Sequence, residues 1–201
     1  MDLLHHEKKG FSKGLEPGYV VILSLLTYGM YHIYWFYKNW TELKEALGRP
    51  IRPAMRSIGL FIPILNIFLI AQQFKNIRDV AREQGATSFY SHVWTSIAYI
   101  ILSTAYTVFT VLITVSLIDE GASTLTPDLL VGIMFIDLAF FSLLGILLVA
   151  PQRILNEYWS KVQGLPMRQH LTAGEIAWLV FGGLFWFISV IEIFSTTAIG
   201  V

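Results

Sequence analysis

The chain has no cysteine and little charge, and each shortage excludes a class of function. Without a thiol among its 201 residues there is no disulfide and no thiolate metal site. Only 14% of residues are charged, against about 25% in an ordinary soluble domain. Lys and Arg number 14 and Asp and Glu 14, so the positive excess of a nucleic-acid binder is missing. Missing too are a phosphate-cradling glycine loop, a His-Glu-x-x-His pair and a Gly-x-Ser-x-Gly elbow. No catalytic residue, metal ligand set or cofactor is assigned. What is abundant is apolar: 55% hydrophobic and 14% aromatic residues, with a mean hydropathy of +0.60. Val93 to Ile118 is longer than the roughly 18 apolar residues that mark a membrane span. The first partner of this chain is the lipid bilayer.

Three parts follow from the pattern. Residues 1–16 are a polar tail of both charge signs; it is not a signal peptide, because a long apolar run follows without a small-residue cleavage site. His5-His6-Glu7 reads as solvated tail rather than a closed metal site. Residues 17–86 hold a doubled unit. Pro17 to Trp40 is apolar and aromatic, broken at Thr27-Tyr28-Gly29. A shift of about 37 positions finds a weaker copy in Ala54 to Ile77, with Gly29 on Asn66, Lys38-Asn39 on Lys75-Asn76 and Gly48 on Gly85. Each side of Gly29 spans about half a bilayer, so the unit fits either a straight crossing or a re-entrant hairpin. In the second copy Pro63 and Asn66 mark the break. Gly29 and Asn66 are therefore expected in non-helical backbone at membrane depth. Peptide groups there need partners, which the Thr27 hydroxyl and Asn66 amide offer.

Residues 87–201 read as three long spanning helices with a basic connecting loop. Ser96, Ser103, Thr107, Thr110 and Thr114 share one face of the first, a pattern that suits helix packing or, in a second reading, a pore lining. Thr126-Pro127 is a start signal for a helix through Val149, and Thr172-Ala173-Gly174-Glu175 is a capping box that makes Glu175 a helix-start carboxylate. Amphipathic stretches after Lys38, Lys75 and Arg153 end at Gly48, Gly85 and Gly164, as helices do at a glycine cap. Arg49, Arg52 and Arg56 make the most basic loop. With two hairpins all 14 Lys and Arg fall on one side, the arrangement that the positive-inside rule favours, which places the basic loops on the cytoplasmic face of an inner membrane.

Tyr28, Tyr31, Tyr34, Trp35, Tyr37 and Trp40 form the densest cluster. They suit an interfacial aromatic belt or the walls of a lipid or peptide groove, with His32 packed among them. Asp137 and Glu192 are the acids inside apolar runs. Glu192 falls near the headgroups, whereas Asp137 lies about 14 Å into its helix. There it needs a hydrogen bond, from Thr107 or Thr110, or serves as a proton or cation site with His32 or Asn66 beside it.

Thr27, Gly29, Tyr31, Tyr34, Trp35, Tyr37 and Lys38 match a Thr-x-Gly-x-Tyr-x-x-Tyr-Trp core followed by Tyr-Lys. In this the chain resembles an uncharacterised family of small bacterial multi-spanning membrane proteins, classed as a domain of unknown function. The Arg-Pro loop and the run Leu155, Asn156, Tyr158, Trp159 are similar to relatives of that group. The resemblance implies fold and location and carries no activity. The reading is thus an all-α integral membrane protein with two re-entrant or short helical units and three long spanning helices. Its expected function is non-enzymatic binding of a protein partner, a second copy or a lipid, through the aromatic unit (Tyr28, Gly29, His32, Tyr34, Trp35) and a basic face (Lys38, Arg49, Arg52, Arg56, Lys75, Arg153). The alternative is a small transporter or channel working at the interrupted segments, with Asn66 and Asp137.

Overall fold

Helices α1 (Pro17–Leu26), α2 (Tyr31–Leu47), α3 (Pro53–Gly59), α4 (Pro63–Glu83), α5 (His92–Glu120), α6 (Pro127–Gln163) and α7 (Ala173–Ile199) follow one another along the chain. The computed structural model describes residues 13–199 apart from 49, 88–89, 121–125, 166 and 169. Arg49 and the His5-His6-Glu7 cluster lie outside the described residues. Among those residues no strand forms, and one isolated bridge joins Leu15 to Arg168.

The three long helices α5, α6 and α7 are each long and apolar enough to cross a membrane. Their outward faces expose Ile101, Leu112, Phe135, Leu184 and Phe187, side chains that a lipid solvent covers and water does not. This is an integral membrane protein. The longest, α6, has 37 residues and runs through Pro151, beyond the end expected at Val149. Its last third buries Leu155, Asn156, Tyr158 and Trp159, and that packing outweighs the one hydrogen bond that a proline removes. Thr126 caps its start as expected, accepting from Leu129 N–H at 3.3 Å.

The first unit is a helical hairpin. Lys13 Nζ meets Glu45 Oε2 at 3.0 Å, so the chain entering α1 stands beside the end of α2. Along its length α1 runs antiparallel to α6, with Leu15 at Asn156 and Ser24 at Gly145. On the other side Gly182 of α7 approaches so closely that a Cβ there would stand 2.2 Å from Thr27 Cα. Small residues let these backbones converge. The contact places the turn about 14 Å from the start of α7 by helical rise. No peptide group in the turn needs water to donate to. Thr27 N–H donates to Leu23 O, Gly29 N–H to Ser24 O, Met30 N–H to Thr27 O, and Tyr31 N–H to the Thr27 hydroxyl at 2.8 Å. That is the condition for irregular backbone away from water. Gly29 has φ +73°, and a Cβ on it would stand 2.7 Å from Phe141, so glycine alone fits.

The second unit also doubles back. The Arg56 guanidinium lies over Trp40 at 5.8 Å, and α4 returns to bring Phe74 to Phe36 at 5.9 Å. Its break is not where the repeat put it. Asn66 lies inside α4, donating its N–H to Ile62 O at 2.8 Å, and the break falls at 60–62. Pro63 is the reason: with no N–H to lose, it occupies the first helical position and starts α4 early. The repeat register survives at the helix ends, where Gly48 (φ +61°) and Gly85 (φ +72°) cap α2 and α4, and Gly164 (φ +62°) caps α6.

Charge follows the hairpins. Arg78 stands at His92, Lys161 donates to Gly85 O, and Arg168 meets Glu175. The described lysines and arginines thus gather where α2, α4 and α6 finish and α5 and α7 begin. Asp119 and Asp128 mark the opposite end.

Candidate functional site

The turn of the first hairpin delivers Tyr28 to a carboxylate between the long helices. Asp137 is 3% exposed. Tyr28 OH donates to its Oδ2 at 2.7 Å and Tyr106 OH to its Oδ1 at 3.0 Å. One side chain on α6 therefore fastens the α1–α2 turn and α5 to the same point. No ion pair among the described residues includes Asp137. It opens instead onto a cavity of about 90 Å³ shared with Tyr28, Ser189 and Glu192. The two acids of the apolar runs, read apart in the sequence, face one space.

Tyr28 is the one non-glycine residue of positive φ among the described residues, at +54°. A bulky side chain is rarely held there, and the surrounding rings hold it: Phe141 at 5.1 Å, Trp186 at 4.7 Å and Phe185 at 5.9 Å. Trp186 also donates from its indole N–H to Leu25 O, which keeps the hairpin end against α7.

Asp137 meets neither the hydroxyls nor the neighbours expected of it. Thr107 and Thr110 donate to carbonyls of their own helix, at Ser103 and Thr107, as hydroxyls do when no outside acceptor lies in reach. His32 and Asn66 line a different cavity, with Tyr99 and Ser103. Tyr106 was not foreseen. Its signal was present: a phenol inside an apolar span needs a partner, and the next span carries a lone acid.

Half of the aromatic cluster, Tyr31, Trp35 and Trp40, is buried core rather than belt or groove. Tyr31, Trp35, Phe36 and Trp40 are fully buried; Trp35 and Phe36 pack on Phe74, and Phe36 also meets Trp40 and Tyr99. Tyr34 is half-buried beside the Thr172 hydroxyl, and Tyr37 is exposed. Trp35 serves a second purpose. Its Nε1 donates to Gln152, whose amide donates to Asn156, and Asn156 takes both backbone groups of Leu15, at 3.0 and 2.7 Å. This chain of amides pins the start of α1 to the end of α6. Gln152, its middle link, was not singled out in the sequence.

At the basic end Glu175 is the helix-start carboxylate that the capping box implied, accepting from Thr172 N–H at 2.7 Å. It also takes a two-pronged contact from Arg168, at 2.5 and 2.8 Å, and meets Lys38 at 3.4 Å. Beside Lys38, burial pushes the Glu42 carboxyl up to about 7, against the pull of Lys38 and Lys13. Arg52, Lys75 and Arg153 stand exposed, whereas Arg56 rests on Trp40. No protein-family model, curated protein or solved structure matches the chain.

Proposed function

We propose that the protein binds a proton or a monovalent cation at Asp137 and works as a small ion transporter or channel component. The observation that carries this is the placement of Asp137: buried about ten residues into α6, bonded to Tyr106 near the middle of α5, with no basic partner among the described residues, beside a cavity that holds a second acid. An ionised aspartate at the centre of a spanning helix costs about 2.5–3.5 kcal/mol on insertion scales, and a proton or cation meets that cost. Oxygen groups predominate around it, two carboxylates, two phenols and the Ser189 hydroxyl, with the Met134 thioether also on the wall. Oxygen ligands suit a hard cation. In this reading both hairpins are re-entrant, with α1–α2 bringing its strained turn to mid-membrane as broken helices do in transporters. The Thr-x-Gly-x-Tyr-x-x-Tyr-Trp signature is then the sequence of that hairpin: Thr27 receives the turn's amide, Gly29 makes the turn, and Tyr31 and Trp35 bury its return. The basic end is cytoplasmic by the positive-inside rule.

The test is ion flux in liposomes containing the purified protein, with pH- and sodium-sensitive dyes inside. Wild type moves one of the two ions, and Asp137→Asn loses at least tenfold in rate while remaining folded. A wild type that moves neither ion, or an Asn variant that keeps full rate, overturns the proposal. A second reading, binding of a protein partner or anionic lipid, is favoured by the exposed Arg52, Lys75 and Arg153 at one end. Stoichiometric co-purification from native membrane that Arg52→Glu and Arg153→Glu abolish would support it.

A further inference from the structure

A cleft separates the α3–α4 break from α5, and Asp137 is not among its lining residues. Its outer part, about 360 Å³, is lined by Phe61, Ile64, Ile67 and Ile100, with Ser103 and Thr107 on the α5 wall. Its inner part, about 110 Å³, is lined by His32, Phe36, Asn66, Ile70 and Tyr99. Leu60, Phe61, Asn66 and Ser103 border both, so the two parts adjoin. Around the mouth Phe61 and Ile64 are 71% and 74% exposed, so the entrance faces hydrocarbon rather than water.

Two polar atoms at the inner part lack partners. His32 is 7% exposed, and its Nδ1 is satisfied by Tyr99 OH at 3.0 Å, yet its Nε2 meets no hydrogen-bonding group. Asn66 Oδ1 is likewise buried and unpartnered. We assign the ring proton to Nε2, with the Tyr99 hydroxyl donating to Nδ1, which makes Nε2 a donor. The inner part therefore offers one donor and one acceptor among apolar and aromatic walls. Orphaned buried groups of this kind are rare and ask for a partner. Among the described residues no charged side chain lines either part, so an acid or phosphate would sit there uncompensated.

We infer that this cleft binds a neutral single-chain lipid alcohol. One hydroxyl oxygen accepts from His32 Nε2–H while its proton goes to Asn66 Oδ1, so a single group satisfies both atoms. The hydrocarbon lies along Phe61, Ile64, Ile67 and Ile100 and leaves towards the bilayer. The inner volume is too small for the two-ester head of a diacylglycerol, and the outer one is at the low end of ligand pockets, about 300–1,000 Å³, which suits one chain.

The experiment is photolabelling of the purified protein in nanodiscs with a diazirine-bearing hexadecanol, the labelled positions being read by mass spectrometry. Label is expected on the segments 60–70 and 99–107, competed by hexadecanol at least tenfold better than by hexadecane or palmitic acid. Asn66→Leu and His32→Phe each reduce that competition tenfold; if His32→Phe fails to fold, the Asn66 variant decides alone. Equal competition by hexadecane means a merely greasy cleft, stronger competition by diacylglycerol or a quinol means another lipid class, and unsaturable labelling means no site. Any of these outcomes overturns the inference. Ion flux through Asp137 is independent of all of them.

Discussion

Tyr28 and Asp137 are 109 positions apart in the chain and joined by a hydrogen bond of 2.7 Å, the shorter of the two that hold this carboxylate. Tyr28→Phe and Tyr106→Phe should each lower stability by about 0.6–1.7 kcal/mol, the range for hydrogen bonds between spanning helices. Asp137→Leu should cost more than either, because it leaves two phenols unpaired, and adding Tyr28→Phe to it should recover part of the loss. Unfolding titrations in mild detergent read the cycle; strictly additive effects would mean that the pair does not interact.

Gly29 and Gly48 share a left-handed backbone but not a neighbourhood. A Cβ on Gly48 meets nothing within 4 Å among the described residues, whereas one on Gly29 meets Phe141 at 2.7 Å. Gly48→Ala should therefore lose only the backbone preference, about 1 kcal/mol. Gly29→Ala should lose clearly more, and Phe141→Leu in the same chain should return the excess. Equal melting shifts for the two alanine variants would show that the turn has room.

Gln73 is 0% exposed, and neither atom of its amide finds a partner among the described residues. An unsatisfied buried polar group costs about 1–3 kcal/mol. Gln73→Leu should raise the unfolding midpoint accordingly. A drop would point instead to a bound group that the amide serves.

Glu42 should give stability a slope with pH. Burial holds its folded pKa at about 7, above the unfolded value of about 4.3. The folded chain then keeps a proton that the unfolded chain releases. The contribution is complete below about pH 4.3 and is lost as pH rises through 7. Glu42→Gln removes the slope, so the variant should gain on wild type between pH 5 and pH 8, measured as the difference in unfolding midpoint. A constant difference across that range would contradict the buried placement.

Glu45, Glu83 and Lys161 should share one side of the membrane. The chain has no cysteine, so single cysteines at these positions report alone. A membrane-impermeant maleimide applied from one side should label all three or none. Labelling of Glu45→Cys from the side opposite Glu83→Cys would mean that the second unit crosses the bilayer.

Features that depend on a few neighbouring residues were legible in the sequence. Thr126 and the Thr172–Glu175 pair start helices, Gly48, Gly85 and Gly164 end them, and long apolar runs span. Features that depend on which surfaces meet were not. Aromatic residues read the same at a lipid interface and in a core, so the burial of Trp35 and Trp40 had no local sign. The break in the second unit was placed on Asn66 by analogy with Gly29, and Pro63 overrode the analogy through its own chemistry. For Asp137 the sequence specified the need for a donor; only the crossing of α5 and α6 chose Tyr106 over Thr107.

The clasp of Asn156 on Leu15 bears on the order of biosynthesis. The two residues are 141 positions apart, and ribosomes add about 5–20 residues per second, so α1 waits roughly 7–28 s for the helix that receives it. Until Gly145 and Gly182 are made, Ser24 and Thr27, which those glycines later cover, have no helix to face. Both hydroxyls donate to their own helix, at Val20 O and Leu23 O, which lets the segment rest in lipid without an unmet proton. The first hairpin is thus made early and seated late, its turn by Asp137 and its entry by Asn156, and a chain truncated between them holds the turn without the clasp on Leu15.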